Sequence, residues 1–221
     1  MAMPTALPPN EDAPWSTTLW DSATRLANAV GARAEGDARW RRALISDMDP
    51  RDCDVILDAR CGNGALVIGL AKAAPKAVIL GLDPRDDALA RARDRADAAG
   101  VKLNLIHGAA EDIASYVNEL RPTRIVCALT AADDHAARRA ILAAAHAALA
   151  PRGTLHLVEP AGPTPSVLDQ VLKSPPAKPR QNTHHQSLID MMRQSGFIGV
   201  MDLGVFTGQT AQVRLFRGAA P

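Results

Sequence analysis

From residue 54 onward the chain alternates short apolar runs with amphipathic stretches. "DVILDA", "AVILGLD", "KLNLIHG", "RIVCALT" and "TLHLVEP" are rich in aliphatic side chains and of strand length. The segments between them read as helices. "GALVIGLAKAA" stops near Pro75, because proline cannot continue a helix. "PRDDALARARDRADAAG" has a proline near its start, Asp87 one turn ahead of Arg91, and Gly100 as its stop. "DDHAARRAILAAAHAALAPRG" is opened by Asp133 and Asp134 and closes before Pro151 and Gly153. Strand and helix in this alternation predict a parallel sheet with helices on both faces, and right-handed crossovers make it a doubly wound α/β fold. A further helix, "HHQSLIDMMRQSG", precedes "GVMDLGVF" and "AQVRLFRG". The short link "TGQT" makes those two strands an antiparallel hairpin at a sheet edge.

Ahead of this alternation, "MAMPTALPPNEDAP" is rich in proline and polar residues, so residues 1–15 are expected to be a disordered tail. Residues 16–50 follow helical spacing, with Leu19, Ala23, Leu26, Ala27 and Val30 in one piece and Trp40, Leu44 and Ile45 in a second. Residues 51–218 then form the main domain. Within it, "PAGPTPSVLDQVLKSPPAKPRQN" reads as a mobile excursion holding a short helix amid prolines.

Composition narrows the function classes. A length of 221 residues suits one domain with a substantial core. A net charge of +1 gives no electrostatic case for nucleic acid or an anionic membrane surface. Cys53, Cys61 and Cys127 have neither metal-ligand spacing nor an even count for a disulfide framework, so reduced thiols in a cytoplasmic protein are expected. No apolar run approaches the roughly 20 residues of a membrane span. Nor does the N-terminus have the basic-then-apolar pattern of a secretion signal. No motif encodes an oligomeric state.

Open parallel sheets bind ligands beyond the carboxyl ends of their strands. That rule gathers Asp58 to Ala65, Asp83 and the "HGAAED" loop around one crevice. Gly62 and Gly64 let the backbone approach a ligand closely, and the helix after them offers free N–H groups to an anionic group. Asp83 closes the second strand about 20 residues past Gly64, the distance at which an acid meets ribose hydroxyls. Strand, glycine turn, helix and spaced acid together point to a nucleoside cofactor. NAD is disfavoured: the third glycine of a dinucleotide loop falls at Val67, and Asp58 ends the first strand where such loops seldom carry an acid.

"VILDARCGNG" followed by "GLDPRDDALARAR" resembles the first two motifs of class I S-adenosylmethionine-dependent methyltransferases. "NLIHGAAEDI" is similar to their third-strand motif, "LAPRGTLHLVEP" to their turn and fifth strand, and "LIDMMRQSGFIGVMDL" to their closing helix and sixth strand. "ARWRRALI" and the C-terminal hairpin most resemble the ubiquinone/menaquinone C-methyltransferase group (methyltransferase type 11). The resemblance implies a Rossmann-like, mainly parallel seven-stranded sheet with an antiparallel C-terminal hairpin strand. It also implies an N-terminal helical lid shaping an acceptor pocket, which Trp15, Trp20 and Trp40 either line or simply pack. It implies S-adenosyl-L-methionine as cofactor and a small organic methyl acceptor such as a quinol or phenol. By the same resemblance Asp58 orients the ammonium side of the methionine, and Gly62, Asn63 and Gly64 line methionine and ribose. Asp83 takes the ribose hydroxyls, while Ala110 lies near adenine with Leu82 as an apolar wall.

Three positions differ from the family pattern: Arg60 stands for a glycine or alanine, Ala109 for an acid or amide, and Thr123-Arg124 for the aspartate opening the fourth strand. Glu111 or Asp112 is a candidate to replace the missing adenine acceptor, Asp112 being equally a helix cap. Arg60 has three readings: a solvent-facing stem, a partner for the cofactor carboxylate, or a side chain that fills the pocket and ends binding. Methyl transfer needs mainly in-line positioning, with a base only where the acceptor loses a proton. His135, after the fourth strand, is the candidate catalytic base and equally a polar residue in a first helical turn. His184 and His185 suit a helix cap, His146 a helix surface, and His156 a strand position with no obvious partner. The alternatives to a methyltransferase are a methyltransferase-like scaffold that has lost its cofactor and, more weakly, an NAD-dependent reductase.

Overall fold

The computed structural model describes residues 38–117, 119–163, 183–207 and 211–221. The expected tail, the first N-terminal helical piece with Trp15 and Trp20, and the proline-rich excursion after Pro163 lie outside the described residues. The rest follows in order as α1 (Ala38–Met48), β1 (Val55–Ala59), α2 (Ala65–Ala73), β2 (Val78–Asp83), α3 (Asp86–Ala98) and β3 (Asn104–His107). A single 3₁₀ turn (Ala110–Asp112) then leads into α4 (Ile113–Val117), β4 (Arg124–Ala128), α5 (His135–Ala148), β5 (Thr154–Pro163), α6 (Thr183–Gln194), β6 (Ile198–Thr207) and β7 (Ala211–Ala219).

The strands form one seven-stranded sheet in the order β3-β2-β1-β4-β5-β7-β6. β1 pairs in parallel with β2 on one side and β4 on the other, and only the β5–β7 and β6–β7 pairs are antiparallel. The expected hairpin is present, with β7 inserted between β5 and the edge strand β6. Because the order turns back at β1, the crevice opens between the carboxyl ends of β1 and β4.

Alternate positions of the buried strands feed two apolar layers. Leu57, Leu80, Ile125, Leu155 and Leu157 face one layer with α5 and α6, while Ile56, Ile79, Val126 and Val158 face the other with α1 and α2. Both faces are covered, which is why these strands read as continuous apolar runs. α5 is the clearest amphipathic helix: Ile141, Leu142, Ala145 and Ala148 are buried, and Asp134 caps its first turn by accepting from the Ala137 N–H.

At the far end of the sheet from the crevice, the Thr123-Arg124 pair has a partner the sequence did not reveal. Asp54 accepts from the Thr123 hydroxyl (2.8 Å), Arg124 Nε (3.1 Å) and the Arg51 N–H (2.8 Å). Burial pushes the Asp54 carboxyl up, but these donors hold it below its ordinary value. The aspartate that the family pattern places on β4 is thus supplied from the start of β1, and this difference lies away from the site.

α1 is fixed by a second polar cluster. His156 on β5 is 1% exposed, and its Nε2 lies 3.0 Å from Asp47 Oδ2 of α1. Arg217 on β7 donates to the other Asp47 oxygen at 3.0 Å. His156 therefore has a partner, contrary to the sequence reading. Burial holds the imidazole below its usual range, so Nε2 carries the proton given to Asp47, and Nδ1 is buried without a hydrogen bond. His146, expected on a surface, is half-buried with its ring edge-on to Phe197, centroids 5.2 Å apart.

A close approach in the glycine turn is at Gly64, where φ is +79° and a β-carbon would lie 2.9 Å from Ala92 Cβ of α3. Gly64→Ala should lower stability by about 1–3 kcal/mol through backbone strain and overlap. Urea unfolding with the m-value held constant measures it, and a loss below about 0.5 kcal/mol would contradict the packing described.

Candidate functional site

The crevice is built on the turn after β1. Leu82 O accepts from both the Arg60 N–H (2.6 Å) and the Cys61 N–H (2.9 Å), and Asp83 Oδ2 accepts from the Gly62 N–H (2.9 Å). These bonds tie the turn to the end of β2. The backbone meets them with positive φ at Arg60 (75°), Gly62 (56°) and Gly64 (79°). Glycine adopts that region freely; arginine enters it only under local constraint. α2 then starts at Ala65, whose N–H is accepted by Asn63 Oδ1 at 3.3 Å.

Two buried acids stand under this turn. Asp83 is 2% exposed, and its Oδ1 accepts from the backbone N–H (3.0 Å) and Nε (3.1 Å) of Arg85. Asp58 is 3% exposed. Burial pushes its carboxyl up to about 7, with the neighbouring Asp83 charge adding to the rise and Arg41 of α1 opposing it. A buried acid poised near neutrality favours a ligand that brings positive charge, since a cation restores the ionised form. Gly62 has space where a side chain would stand, the nearest atom to a β-carbon being Arg85 Nη2 at 4.0 Å.

The wall beyond β3 is formed by Ala109 and Ala110. Ala110 is 1% exposed at the start of the 3₁₀ turn, beside the buried end of β2. Ala109 precedes it in extended backbone and contributes no polar side chain. Asp112 is exposed within the turn and caps nothing, the N-cap position being Ala109. Glu111 is half-buried, but its carboxylate is engaged by Arg60.

Arg60 departs from the solvent-facing reading. Its guanidinium turns across the crevice to Asp133 Oδ2 (2.5 Å), Glu111 Oε1 (3.1 Å) and the Ala128 carbonyl (3.5 Å). Burial works against its charge, yet Asp133 and Glu111 hold the guanidinium above its ordinary pKa; Asp133 is held low in return, against its own burial. Asp133 also accepts from the Thr130 N–H at 2.6 Å, and its carbonyl accepts from Arg138 Nε at 3.1 Å. Arg138 continues to Glu159, buried at the end of β5, at 2.6 Å. Sequence reasoning gave no role to Arg138 or Glu159. Their only signal was position: each lies on an element that ends at, or packs beside, the carboxyl edge.

His135 occupies the first turn of α5, exposed, beyond the end of β4. Asp58, the glycine turn, Asp83 and Ala110 come together in the crevice; His135 sits at its outer edge. His184 and His185 lie in the first turn of α6. Cys61 and Cys127 are buried near the two acids. Burial pushes the Cys127 thiol up to about 12 and raises Cys61 as well, so neither is a thiolate at neutral pH. Among the described residues no cluster of metal-ligating side chains is present, and no helix is long and apolar enough to cross a membrane.

The Asp58 assignment carries a pH signature. A carboxyl whose folded pKa lies above its unfolded value of 3.8 gives stability that is complete below 3.8 and lost as pH rises through about 7. Asp58→Asn should therefore gain in unfolding temperature over the native chain as pH rises from 4 to 8. An offset that stays constant across that range would remove Asp58 as a buried, neutral acid.

Residues 56–153 match the methyltransferase domain family. Among proteins of curated function none matches in sequence. Among solved structures, TrmN from Thermus thermophilus superimposes with TM-score 0.59 at 17% identity, covering 82% of this chain and 48% of that one. This chain thus spans about half the length of TrmN. Magnesium protoporphyrin IX methyltransferase (ChlM) from Synechocystis PCC 6803, solved with bound SAM, gives 0.58 at 15% identity over 83% of this chain and 79% of that one. Precorrin-6y C5,15-methyltransferase from Geobacter metallireducens GS-15 gives 0.58 at 14% identity over 82% and 87%. These likenesses show the fold. The family match runs from β1 to the turn before β5, and so takes in the strands and turns that build the crevice.

Proposed function

We propose that the chain transfers a methyl group from S-adenosyl-L-methionine to a small organic acceptor. The observation that carries this reading is the pairing of a buried acid near neutrality, Asp58, with a second acid at the end of β2, Asp83, beneath one glycine turn. The first suits a cationic amino-acid end and the second a ribose, and one molecule offers both. That the neighbour ChlM is solved with bound SAM supports the same choice.

When bound, S-adenosylmethionine supplies a methyl group on a positively charged sulfur. The chain's own residues do the rest by positioning. Asp58 faces the ammonium side, Gly62, Asn63 and Gly64 line methionine and ribose, and Asp83 holds the ribose hydroxyls through oxygens that retain accepting capacity. Ala110 and Leu82 give the base an apolar wall. The buried thiols Cys61 and Cys127 take no part, so transfer is direct from sulfur to acceptor. For a quinol or phenol, the acceptor class favoured by the likeness to the ubiquinone/menaquinone group, His135 is the residue at the crevice rim able to take the proton. The scaffold alternative is the weaker one: both acids and both glycines of the crevice are in place, and Arg60 is held there only by side-chain bonds.

Calorimetric titration with S-adenosylhomocysteine should give one site of micromolar affinity, with no binding of NADH. Asp83→Ala should weaken that affinity by about tenfold to a hundredfold, the worth of charge-assisted bonds to hydroxyls, with its circular dichroism unchanged. Unaltered affinity in that variant would sink the site assignment. Absence of binding to the native chain at millimolar ligand would sink the methyltransferase reading.

A further inference from the structure

The charged residues over the carboxyl ends of β1, β4 and β5 form a single alternating line: Glu111, Arg60, Asp133, Arg138, Glu159. Arg60 is its pivot, the only one of the five that projects from the glycine turn itself. Its guanidinium lies over the junction of β1 and β4, against the Ala128 carbonyl and two carboxylates. The guanidinium thus spans the crevice from the 3₁₀ turn after β3 to the loop after β4, beside the ends of β1 and β4. Its side chain is largely buried, 18% exposed.

We propose that Arg60 is a latch on the cofactor crevice: the ligand enters only when the guanidinium swings off Glu111 and Asp133. The proposal rests on the methyltransferase reading and adds a control to that same site. The bonds that hold the turn, Arg60 N–H and Cys61 N–H to Leu82 O, are backbone bonds independent of the side chain. Rotation of the arginine stem therefore opens the crevice without dismantling the loop. Arg60 also links two walls of the crevice: Glu111 belongs to the 3₁₀ turn after β3, and Asp133 to the loop after β4, where it accepts the Thr130 N–H. Opening the latch loosens that loop.

Apparent affinity falls in proportion to the fraction of molecules in the open state. Calorimetric titration of the full chain with S-adenosylhomocysteine tests this on four proteins: native, Arg60→Gly, Glu111→Gln and the double variant. Arg60→Gly should bind about tenfold tighter, as for a crevice closed about nine-tenths of the time. Glu111→Gln should bind severalfold tighter, and the double variant no tighter than Arg60→Gly, because one latch opens only once. In the ligand-free proteins, amide exchange at Thr130 should be faster in Arg60→Gly than in the native chain. Binding that is unchanged or weaker in Arg60→Gly, with the native chain binding measurably, overturns the latch and leaves the methyltransferase reading standing. Additive gains from the two substitutions overturn it as well. Failure of all four proteins to bind refutes the methyltransferase reading itself, and the latch falls with it.

Discussion

The structure of the crevice depends on one backbone constraint, the tie between the turn after β1 and the end of β2. A single carbonyl, Leu82 O, receives two successive N–H groups of that turn, and the next residue, the acid Asp83, receives a third from Gly62. Satisfying those donors forces the chain through left-handed conformations at residues 60, 62 and 64. The path then delivers Ala65 to the start of α2 and brings Gly64 against Ala92 of α3. Sheet order does the complementary work. With β1 between β2 and β4, the acids ending β1 and β2 and the carbonyl ending β4 reach one edge together.

Charge burial gives this edge its chemical character. Burial and the neighbouring Asp83 charge make ionisation of Asp58 less favourable, and both acids are shut off from water. Arg41, Arg85, Arg60 and Arg138 are distributed around them, drawn from α1, the start of α3, the glycine turn and α5. A crevice of this kind is tuned to the sign of its ligand. The same burial that raises Asp58 also keeps the two neighbouring thiols protonated, which leaves binding and alignment as the site's means of action.

Much of this was legible in the sequence because it is local. The alternation of strand and helix, the glycine turn after "VILDA" and the acid ending "AVILGLD" each depend on residues close to one another along the chain. The same holds for Asp134 capping α5. What escaped were partners chosen by the sheet. Arg60 meets Glu111 and Asp133, 51 and 73 residues away, and His156 meets Asp47, 109 residues away. Nothing in the spacing of an arginine or a histidine announces such pairings. Thr123-Arg124 shows the same principle in reverse. A difference from the family pattern, local in sequence, is balanced by Asp54 across the β1–β4 pair. Long polar side chains in an α/β sheet are therefore best read only after strand order is known.

The Asp47, His156 and Arg217 cluster has a consequence for how the molecule comes apart. It joins the first described helix to two strands from the other half of the chain, β5 and β7, through a buried imidazole and two partly buried charged groups. Peeling α1 away on its own would leave a neutral imidazole facing an emptied cavity and strip Asp47 of both partners. Such partial opening is costly next to loss of the whole sheet. The helix that borders the crevice is thus a cooperative member of the folding unit. Hydrogen exchange in its last turns reports the global unfolding equilibrium, not a local fraying.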